Sequence, residues 1–338
     1  MVTLPKKWVR EMGLRQSSEI TIERSGNKSL VITVENTAVP TERREVALHV
    51  AESLSTDSLV RKIVSFYLLG YNLINIKSEM NSLNTLQRNA IKNVVRKYLI
   101  GTEIVVDSNE GILLQVLLGY SSISVDSALR RMLLISTSMH REAIQALGAF
   151  NRDLPRTISE RDDEIDRFRL FITRQLNTSV DQGIFKDIGF ESTDLLGYSQ
   201  IVIILEKVAD MACRIALEVS HVEGTPERQV CEKLSEMSEH ALKLLDMSLL
   251  ALFKRDHVAA DEVLEKTNSI GELKDRLITK IEEGRQSTDR VISIMNYLEE
   301  TCDYAKDISE IVLDMTAEKS VRKEIGKDLA EPIVAGLA

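Results

Sequence analysis

The stretch ILEKVADMACRIA (Ile204–Ala216) returns in a weaker form as YLEETCDYAKDIS (Tyr297–Ser309) later in the same chain. Each copy reads Leu-Glu, then three residues, then Asp and an alanine-containing continuation. The paired carboxylates are Glu206 with Asp210 in the first copy and Glu299 with Asp303 in the second. Both pairs keep the same offset of 93 residues along the 338-residue chain. This recurrence predicts a duplicated helical unit.

Both copies lie in long segments whose apolar residues recur at the period of an α-helix. These segments span roughly 124–151, 156–183, 194–221, 227–255, 257–283 and 287–318. Six helices joined by short connections are typical of helical bundles. Gly224-Thr225-Pro226 divides them, so we predict two tandem three-helix bundles at 122–223 and 225–320, followed by a tail at 321–338.

The first 119 residues have a different pattern. Residues 1–36 hold a short helix that begins near Pro5 and stops at Gly13, followed by two strands of alternating polar and apolar residues. Residues 42–119 follow the order β-α-β-α-β-β, which predicts a small α+β domain with helices on one face of a sheet. The predicted fold is therefore mainly α, with a helix-plus-hairpin module and an α+β domain ahead of the bundles.

The composition excludes several classes of protein. Hydrophobic residues make up 43% of the chain and charged residues 28%, which is typical of a globular protein with a sizeable core. No run approaches 18 apolar residues, so we expect no membrane insertion. The start MVTLPKKW lacks the apolar core of a signal peptide, and three unclustered cysteines build no disulfide framework or zinc-thiolate site. We therefore expect a cytoplasmic location.

The paired carboxylates share one face of each predicted helix, because residues four apart in an α-helix project in the same direction. Further polar side chains with this spacing are Asp307, one turn beyond Asp303, the earlier pair Asp162 and Asp166, and its weaker counterpart Asn268 and Glu272. If antiparallel helices bring these pairs together, the oxygen ligands suit Mg, Mn or Fe. The alternative is a solvated acidic face with ordinary ion-pair partners, and the repetition favours metal sites.

These motifs resemble the two Glu-x-x-x-Asp helices of the PhoU phosphate-uptake regulators. ERDDEIDRF (160–168) resembles that family's preceding Asp-x-x-Ile-Asp segment, and the similarity covers roughly residues 122–320. The resemblance implies two three-helix bundles, dimerisation, sites for Fe, Mn, Mg or Zn, and a role in lowering phosphate import when phosphate is plentiful. By this resemblance the first site would use Asp162, Asp166, Glu206 and Asp210, and the second Asn268, Glu272, Glu299, Asp303 and Asp307.

Two departures from the family pattern bear on metal affinity. Arg214 stands where the first motif often continues with Asn or Asp, which would place a cation beside the metal. Asn268 stands where the second site would have Asp. Because the second site keeps the longer acidic stripe, we expect it to bind the metal more tightly.

The segment VTLPKKWVREMGLRQSSEITIERSGNKSLVITVE (2–35) resembles the AbrB/SpoVT swapped-hairpin DNA-binding domain, in which two chains build one barrel. By this resemblance the basic residues that would contact DNA phosphates are Lys6, Lys7, Arg10 and Arg15. That family has another strand before the Thr-Leu-Pro turn, where this chain has only Met1 and Val2. A truncated start, and with it the loss of DNA binding, therefore stays open. A head of this kind ahead of PhoU-like bundles resembles the archaeal arrangement of the family.

The sequence thus predicts a regulatory homodimer without catalytic activity. The head is too short to bury a core alone, which favours pairing of two chains. Expected partners are DNA and a phosphate-transporter component or signalling protein. One alternative is an adaptor that contacts a transporter and binds no DNA. The other is a carboxylate-bridged metal enzyme or metal store, although the Glu-x-x-His pattern of di-iron bundles is missing beside Glu206 and Glu299.

Overall fold

The computed structural model describes residues 3–25, 29–34, 44–80, 82–117, 123–147, 153–182, 190–191, 194–222, 226–283 and 289–328. Contacts divide the chain into two units, Met1–Arg44 and Glu45–Ala338.

The first unit contains helix α1 (Lys6–Glu11) and an antiparallel hairpin of β1 (Thr21–Ser25) and β2 (Ser29–Thr33). Gly13 follows the C-terminus of α1, and its φ of +62° is a left-handed conformation that glycine adopts without strain. The predicted short helix and hairpin are confirmed.

The second unit begins with a four-stranded sheet and two helices. In chain order these are β3 (Glu45–Val50), α2 (Thr56–Leu68), β4 (Leu73–Ser78), α3 (Thr85–Tyr98), β5 (Thr102–Asp107) and β6 (Gly111–Val116). The strands lie in the order β3-β4-β6-β5, with β3 and β4 parallel and the other pairs antiparallel. Leu59 of α2, Ile91 of α3 and Ile74 of β4 share one buried apolar cluster. The predicted β-α-β-α-β-β order is confirmed.

Seven helices follow in the described part of the second unit. They are α4 (Val125–Gln145), α5 (Leu154–Gln182), α6 (Asp194–Ser220), α7 (Arg228–Lys254), α8 (His257–Thr267), α9 (Ile270–Glu283) and α10 (Asp289–Asp328). Helices α4 to α6 form the first bundle and α7 to α10 the second. Their buried apolar side chains belong to one continuous cluster that runs from Val125 to Val312. The two repeats therefore share a single core, in which α6 packs against α10.

Two helix boundaries differ from the prediction. The helix expected at 257–283 is broken, because α8 ends at Thr267 and α9 begins at Ile270. The Ser269 Oγ donates to the Lys266 carbonyl at 2.7 Å, so this side chain uses a backbone acceptor at the break. The last helix continues to Asp328, into the segment predicted as a tail.

None of the helices in the described ranges combines the length and the apolar content needed to cross a bilayer.

Helix α5 joins the sheet domain to the first bundle. The buried Arg174 donates to the Tyr67 carbonyl and its guanidinium lies 4.9 Å from the Tyr67 ring centre. Asn177 donates to the Leu68 carbonyl at 3.0 Å. Both side chains donate to carbonyls in the last turn of α2, and the Tyr67 carbonyl also accepts from the Gly70 N–H at 3.0 Å. The sheet domain is therefore fixed to the helix that carries Asp162 and Asp166.

Candidate metal centres on the bundle helices

The first acidic cluster, defined as Asp162, Asp166, Glu206 and Asp210, forms where α5 packs against α6. All four side chains are half-buried. The negative charges of the other three all act on Asp162. The predicted grouping of the two pairs across two helices is therefore present in the structure.

The carboxyl group of Asp162 is the most perturbed member of this cluster. Burial raises its pKa from the ordinary 3.8 to about 7, and Asp166, Asp210 and Glu206 raise the pKa in the same direction by repulsion. Burial is also the largest cause of the raised pKa of Asp166 and of Glu206. The cluster therefore holds more negative charge at neutral pH than its surroundings stabilise.

Arg169 supplies part of the missing positive charge. Its Nε lies 3.4 Å from Glu206 Oε1 and 3.7 Å from Asp166 Oδ1. Within the described residues this buried Nε has no hydrogen-bond partner, so Arg169 forms ion pairs with both carboxylates. Arg169 was not predicted from the sequence, although it lies seven residues after Asp162 and three after Asp166, on the same face of α5.

Arg214, which was expected to place a cation near the first site, packs against Tyr297 of α10. Its guanidinium lies 5.9 Å from the ring centre of Tyr297 on α10. Lys207 is similarly placed 5.8 Å from the ring centre of Tyr304. Both cations lie at the seam between α6 and α10, and Arg169 is the arginine that contacts the cluster. Arg214 thus faces Tyr297 of α10, and its effect on metal binding at the first site stays a prediction.

His140 of α4 supports α6 within the core. Its Nε2 lies 2.9 Å from the carbonyl of Val208, between Glu206 and Asp210 in the chain, and must donate because a carbonyl only accepts. Burial lowers the pKa of His140 to about 4, so the ring is neutral at physiological pH. The ring is therefore a neutral hydrogen-bond donor to α6.

The acidic stripe of α10, defined as Glu299, Asp303 and Asp307, differs from the first cluster. Asp303 and Asp307 are exposed, and Glu299 accepts from Lys274 of α9 at 2.6 Å. Burial, followed by the charges of Glu299 and Asp307, raises the pKa of Asp303. Lys274 was not foreseen, since its contact depends on how α9 packs against α10.

Asn268 and Glu272 lie outside α10, at the end of α8 and on α9. Asn268 caps the C-terminus of α8 and is exposed, at the helix break. Glu272 is also exposed and lies 3.3 Å from Arg276 on its own helix. The carboxylates that repel Asp303 all belong to α10. A joint metal site of Asn268 and Glu272 with the stripe of α10 therefore stays a prediction.

Within the described ranges, no three side chains of His, Cys, Asp or Glu are grouped in a way that could hold a metal ion in this conformation. The donor set of the first cluster nevertheless fits a hard cation, because it offers four carboxylates that repel one another. Binding would require Arg169 to withdraw and Asp162 to lose its proton. Burial and the nearby carboxylates raise the pKa of Cys213 to about 12, so its thiol stays protonated. Oxygen atoms, and not sulfur, are the ligands available there.

Asp162→Asn should stabilise the metal-free protein at pH 8 and have little effect at pH 5. The raised pKa means that folded Asp162 holds its proton more tightly than the unfolded chain does. Its contribution to stability is therefore fully present below about pH 4 and is lost as the pH rises through 7. Asparagine cannot ionise. We expect a gain of about 1 kcal/mol at pH 8, small because solvent screens a half-buried group.

Thermal unfolding in the presence of a chelator measures this difference. Glu164→Gln is the matched control, since Glu164 lies on the same helix, is exposed and is 3.9 Å from Arg131. That variant should show no comparable dependence on pH. An equal effect of Asp162→Asn at both pH values would show that repulsion within the cluster is negligible.

The basic residues predicted to contact DNA belong to the first unit. Lys6, Lys7 and Arg10 lie on α1, Arg15 follows the helix, and all four are exposed. Trp8, the single tryptophan of the chain, lies among them and is half-buried. A basic surface therefore exists on the head, and the fluorescence of Trp8 can report binding to it.

A model of the PhoU domain matches residues 129–219 and 234–312, about half of the chain. A PhoU homologue described as a phosphate-specific transport system accessory protein, from Thermotoga maritima, is 23% identical over 211 residues, which cover 58% of this chain and 88% of the homologue. Crystal structures of PhoU from Pseudomonas aeruginosa and Streptococcus pneumoniae are 22% and 18% identical. Each has a TM-score of 0.47 and aligns with 56% of this chain, and with 93% and 91% of its own length.

The head matches a separate family model. Residues 1–40 match the bacterial antitoxin MazE, described as antidote-toxin recognition. This match supports the resemblance of the head to MazE- and AbrB-like modules.

Proposed function

Because the chain belongs to the PhoU family, we propose that it is a cytoplasmic regulator of phosphate uptake that acts by binding and not by catalysis. The two family matches coincide with the bundles that carry the repeated Glu-x-x-x-Asp motif. Its named relative from Thermotoga maritima is an accessory protein of a phosphate-specific transport system. A component of such a system, or a signalling protein attached to it, is therefore the proposed partner.

Metal binding by the bundles is the second part of the proposal. The observation that carries it is the first acidic cluster, where four carboxylates from α5 and α6 repel one another and the pKa of Asp162 rises to about 7. A divalent or trivalent cation such as Fe, Mn, Mg or Zn would neutralise this charge. Asp162, Asp166, Glu206 and Asp210 would hold it, and the cation would link α5 to α6. The stripe of α10 would be a second site, with Lys274 as its competitor.

Pairing of two heads is the third part. The hairpin of the first unit leaves Ile22 56% exposed and Leu30 63% exposed. Apolar side chains on so short a hairpin gain little from one chain, and a second hairpin would cover them. We therefore propose a homodimer whose paired heads present the basic residues of α1 to DNA.

Two other functions compete with this proposal. A transporter adaptor with no affinity for DNA would use the same bundles, and the exposed basic residues of α1 would then be a solvated helix face. A carboxylate-bridged metal enzyme or store would use the same acidic cluster. The structure does not favour a metal enzyme over a regulator, because Arg169 occupies the space between the carboxylates that an enzyme would keep open for substrate.

Phosphate uptake in cells tests the regulatory role directly. In cells that lack the protein, uptake should stay high when phosphate is plentiful, and the restored wild-type chain should lower it. Uptake that is unaffected by removal and by restoration would exclude this role, whatever the bundles bind.

Lys7→Ala with Arg10→Ala should weaken DNA binding by a similar factor for all sequences. Side chains that contact phosphates contribute a salt-dependent affinity without reading bases. Loss of two such contacts should flatten the plot of log affinity against log salt by about two units. Trp8 fluorescence and filter retention of duplex DNA measure this effect.

Arg228→Ala with Lys233→Ala is the matched control, since it removes two positive charges from α7, outside the head. This control should bind DNA as the wild type does. Equal retention by all three proteins would place the DNA contacts elsewhere, and no retention by the wild type would favour the adaptor.

A further inference from the structure

Helices α6 and α10 enclose an open groove of about 390 Å³ along their outer seam. The helices run antiparallel there, as the pairs Lys207 with Tyr304 and Arg214 with Tyr297 indicate. Gly197 allows them to approach closely, since a Cβ at this position would lie 2.3 Å from Met315 Sδ and 3.1 Å from Ile311 Cγ2. The groove is therefore a built feature of the packing, and it shares Asp307 with the acidic stripe of α10.

Aliphatic side chains form the floor of the groove and continue beyond it. Ile203, Ile204 and Ile311 line it. Ile203 is 46% exposed, and Leu196, seven residues earlier on the same face of α6, is 74% exposed. This apolar strip is about 10 Å long, because an α-helix rises 1.5 Å per residue. Two turns of a second helix, with apolar residues seven apart, would cover it.

One wall of the groove is acidic. Asp307, Glu310 and Asp314 of α10 line it. Lys306 lies 3.8 Å from Glu310, whereas Asp307 and Asp314 have no ion-pair partner in the described part of the chain. The opposite wall carries Lys207, which is directed over the Tyr304 ring. An occupant of this groove therefore needs positive charge on the edge that faces α10.

We propose that the groove between α6 and α10 binds an amphipathic helix of a partner protein, which buries its apolar face on Ile203 and Ile311 and places lysines or arginines along α10. Helices with apolar residues at i, i+3, i+4 and i+7 dock in apolar grooves in this way. The acidic wall selects a basic helix over an acidic one, because like charges at a contact are repelled. The inference does not rest on the role in phosphate uptake.

Binding of a labelled synthetic peptide to the full chain tests this proposal. One peptide is an amphipathic helix with leucines on one face and lysines on the other, and its counterpart has glutamates in place of the lysines. Measured by fluorescence anisotropy with a chelator present, the Leu/Lys peptide should bind and the Leu/Glu peptide should not. Its affinity should fall as salt rises, because the wall is exposed.

Ile203→Glu should weaken the Leu/Lys peptide by about tenfold or more, since it places a charge at the centre of the buried contact. Asp314→Lys should weaken it severalfold and reduce its salt dependence. Both side chains lie on the surface and outside the acidic clusters, so neither change should impair folding, which a thermal melt checks. Leu86→Glu is the matched control, at a side chain 71% exposed on α3. The Leu86→Glu variant should bind the Leu/Lys peptide with the affinity of the wild type.

Three results would overturn the proposal. One is that the wild type binds neither peptide, and another is that it binds both equally, which removes the selection by charge. Equal weakening by Ile203→Glu and Leu86→Glu would show general attraction of a basic peptide to a chain of net charge −9.

Discussion

Arg255→Ala should reduce the free energy of unfolding by about 3–5 kcal/mol, because it leaves a buried carboxylate without its cation. Asp194, at the start of α6, is only 2% exposed. The Arg255 guanidinium, just after α7, donates to both of its oxygens, at 3.1 and 2.6 Å. The Glu191 N–H also donates to Asp194 Oδ2, at 2.8 Å. This pair ties the second bundle to the helix that carries Glu206 and Asp210.

Denaturant unfolding at neutral pH measures the loss. Arg228→Ala is the control, because Arg228 pairs with Glu232 at 2.8 Å on the surface and an exposed ion pair contributes little to stability. Adding Asp194→Asn to Arg255→Ala should recover part of the lost stability. The amide oxygen still accepts from the Glu191 N–H and carries no charge. Similar losses for Arg255→Ala and Arg228→Ala would mean that the carboxylate is solvated.

The repeat of Glu-x-x-x-Asp contains enough information to predict the two bundle helices that carry it. An apolar stripe at helical period is retained on both, and the structure confirms α6 and α10. The break between α8 and α9 was missed, because Asn268 was interpreted as a ligand. Thr267-Asn268-Ser269 is a run of side chains that can bond to nearby backbone, and Ser269 does so. This run of three polar residues was therefore a sequence signal for a helix end at this point.

Contacts between distant elements could not be predicted from periodicity. The face of α3 that meets α5 is an example: the Tyr98 hydroxyl lies 3.2 Å from Asp163 Oδ1, and the Lys97 Nζ lies 2.5 Å from its Oδ2. Asp163 in turn acts on Asp162 by repulsion. The sheet domain therefore touches the residue next to the first acidic cluster, through a contact that depends on the tertiary packing of α5. Spacing along one helix does not contain this information.

Manganese should stabilise the wild type and lose most of this effect in Asp162→Asn with Asp210→Asn. A ligand that binds the folded state alone adds about 2.7 kcal/mol at a hundredfold excess over its dissociation constant. The double variant keeps the shape of the cluster and removes two of four carboxylates. Without metal it should be as stable as the wild type or more stable, because repulsion has been removed. Thermal melts with and without Mn²⁺ measure both effects.

Glu299→Gln with Asp303→Asn makes the corresponding change in the stripe of α10. The sequence alone suggested tighter binding there, but Glu299 is held by Lys274 and Asp303 is exposed. We now expect this variant to lose less of the manganese effect than the first. Glu232→Gln with Glu236→Gln is the control, because these exposed carboxylates of α7 have the same four-residue spacing. If manganese shifts all four proteins equally, the repeated carboxylates are solvated helix faces, and the recurrence of the motif reflects duplication of the bundle alone.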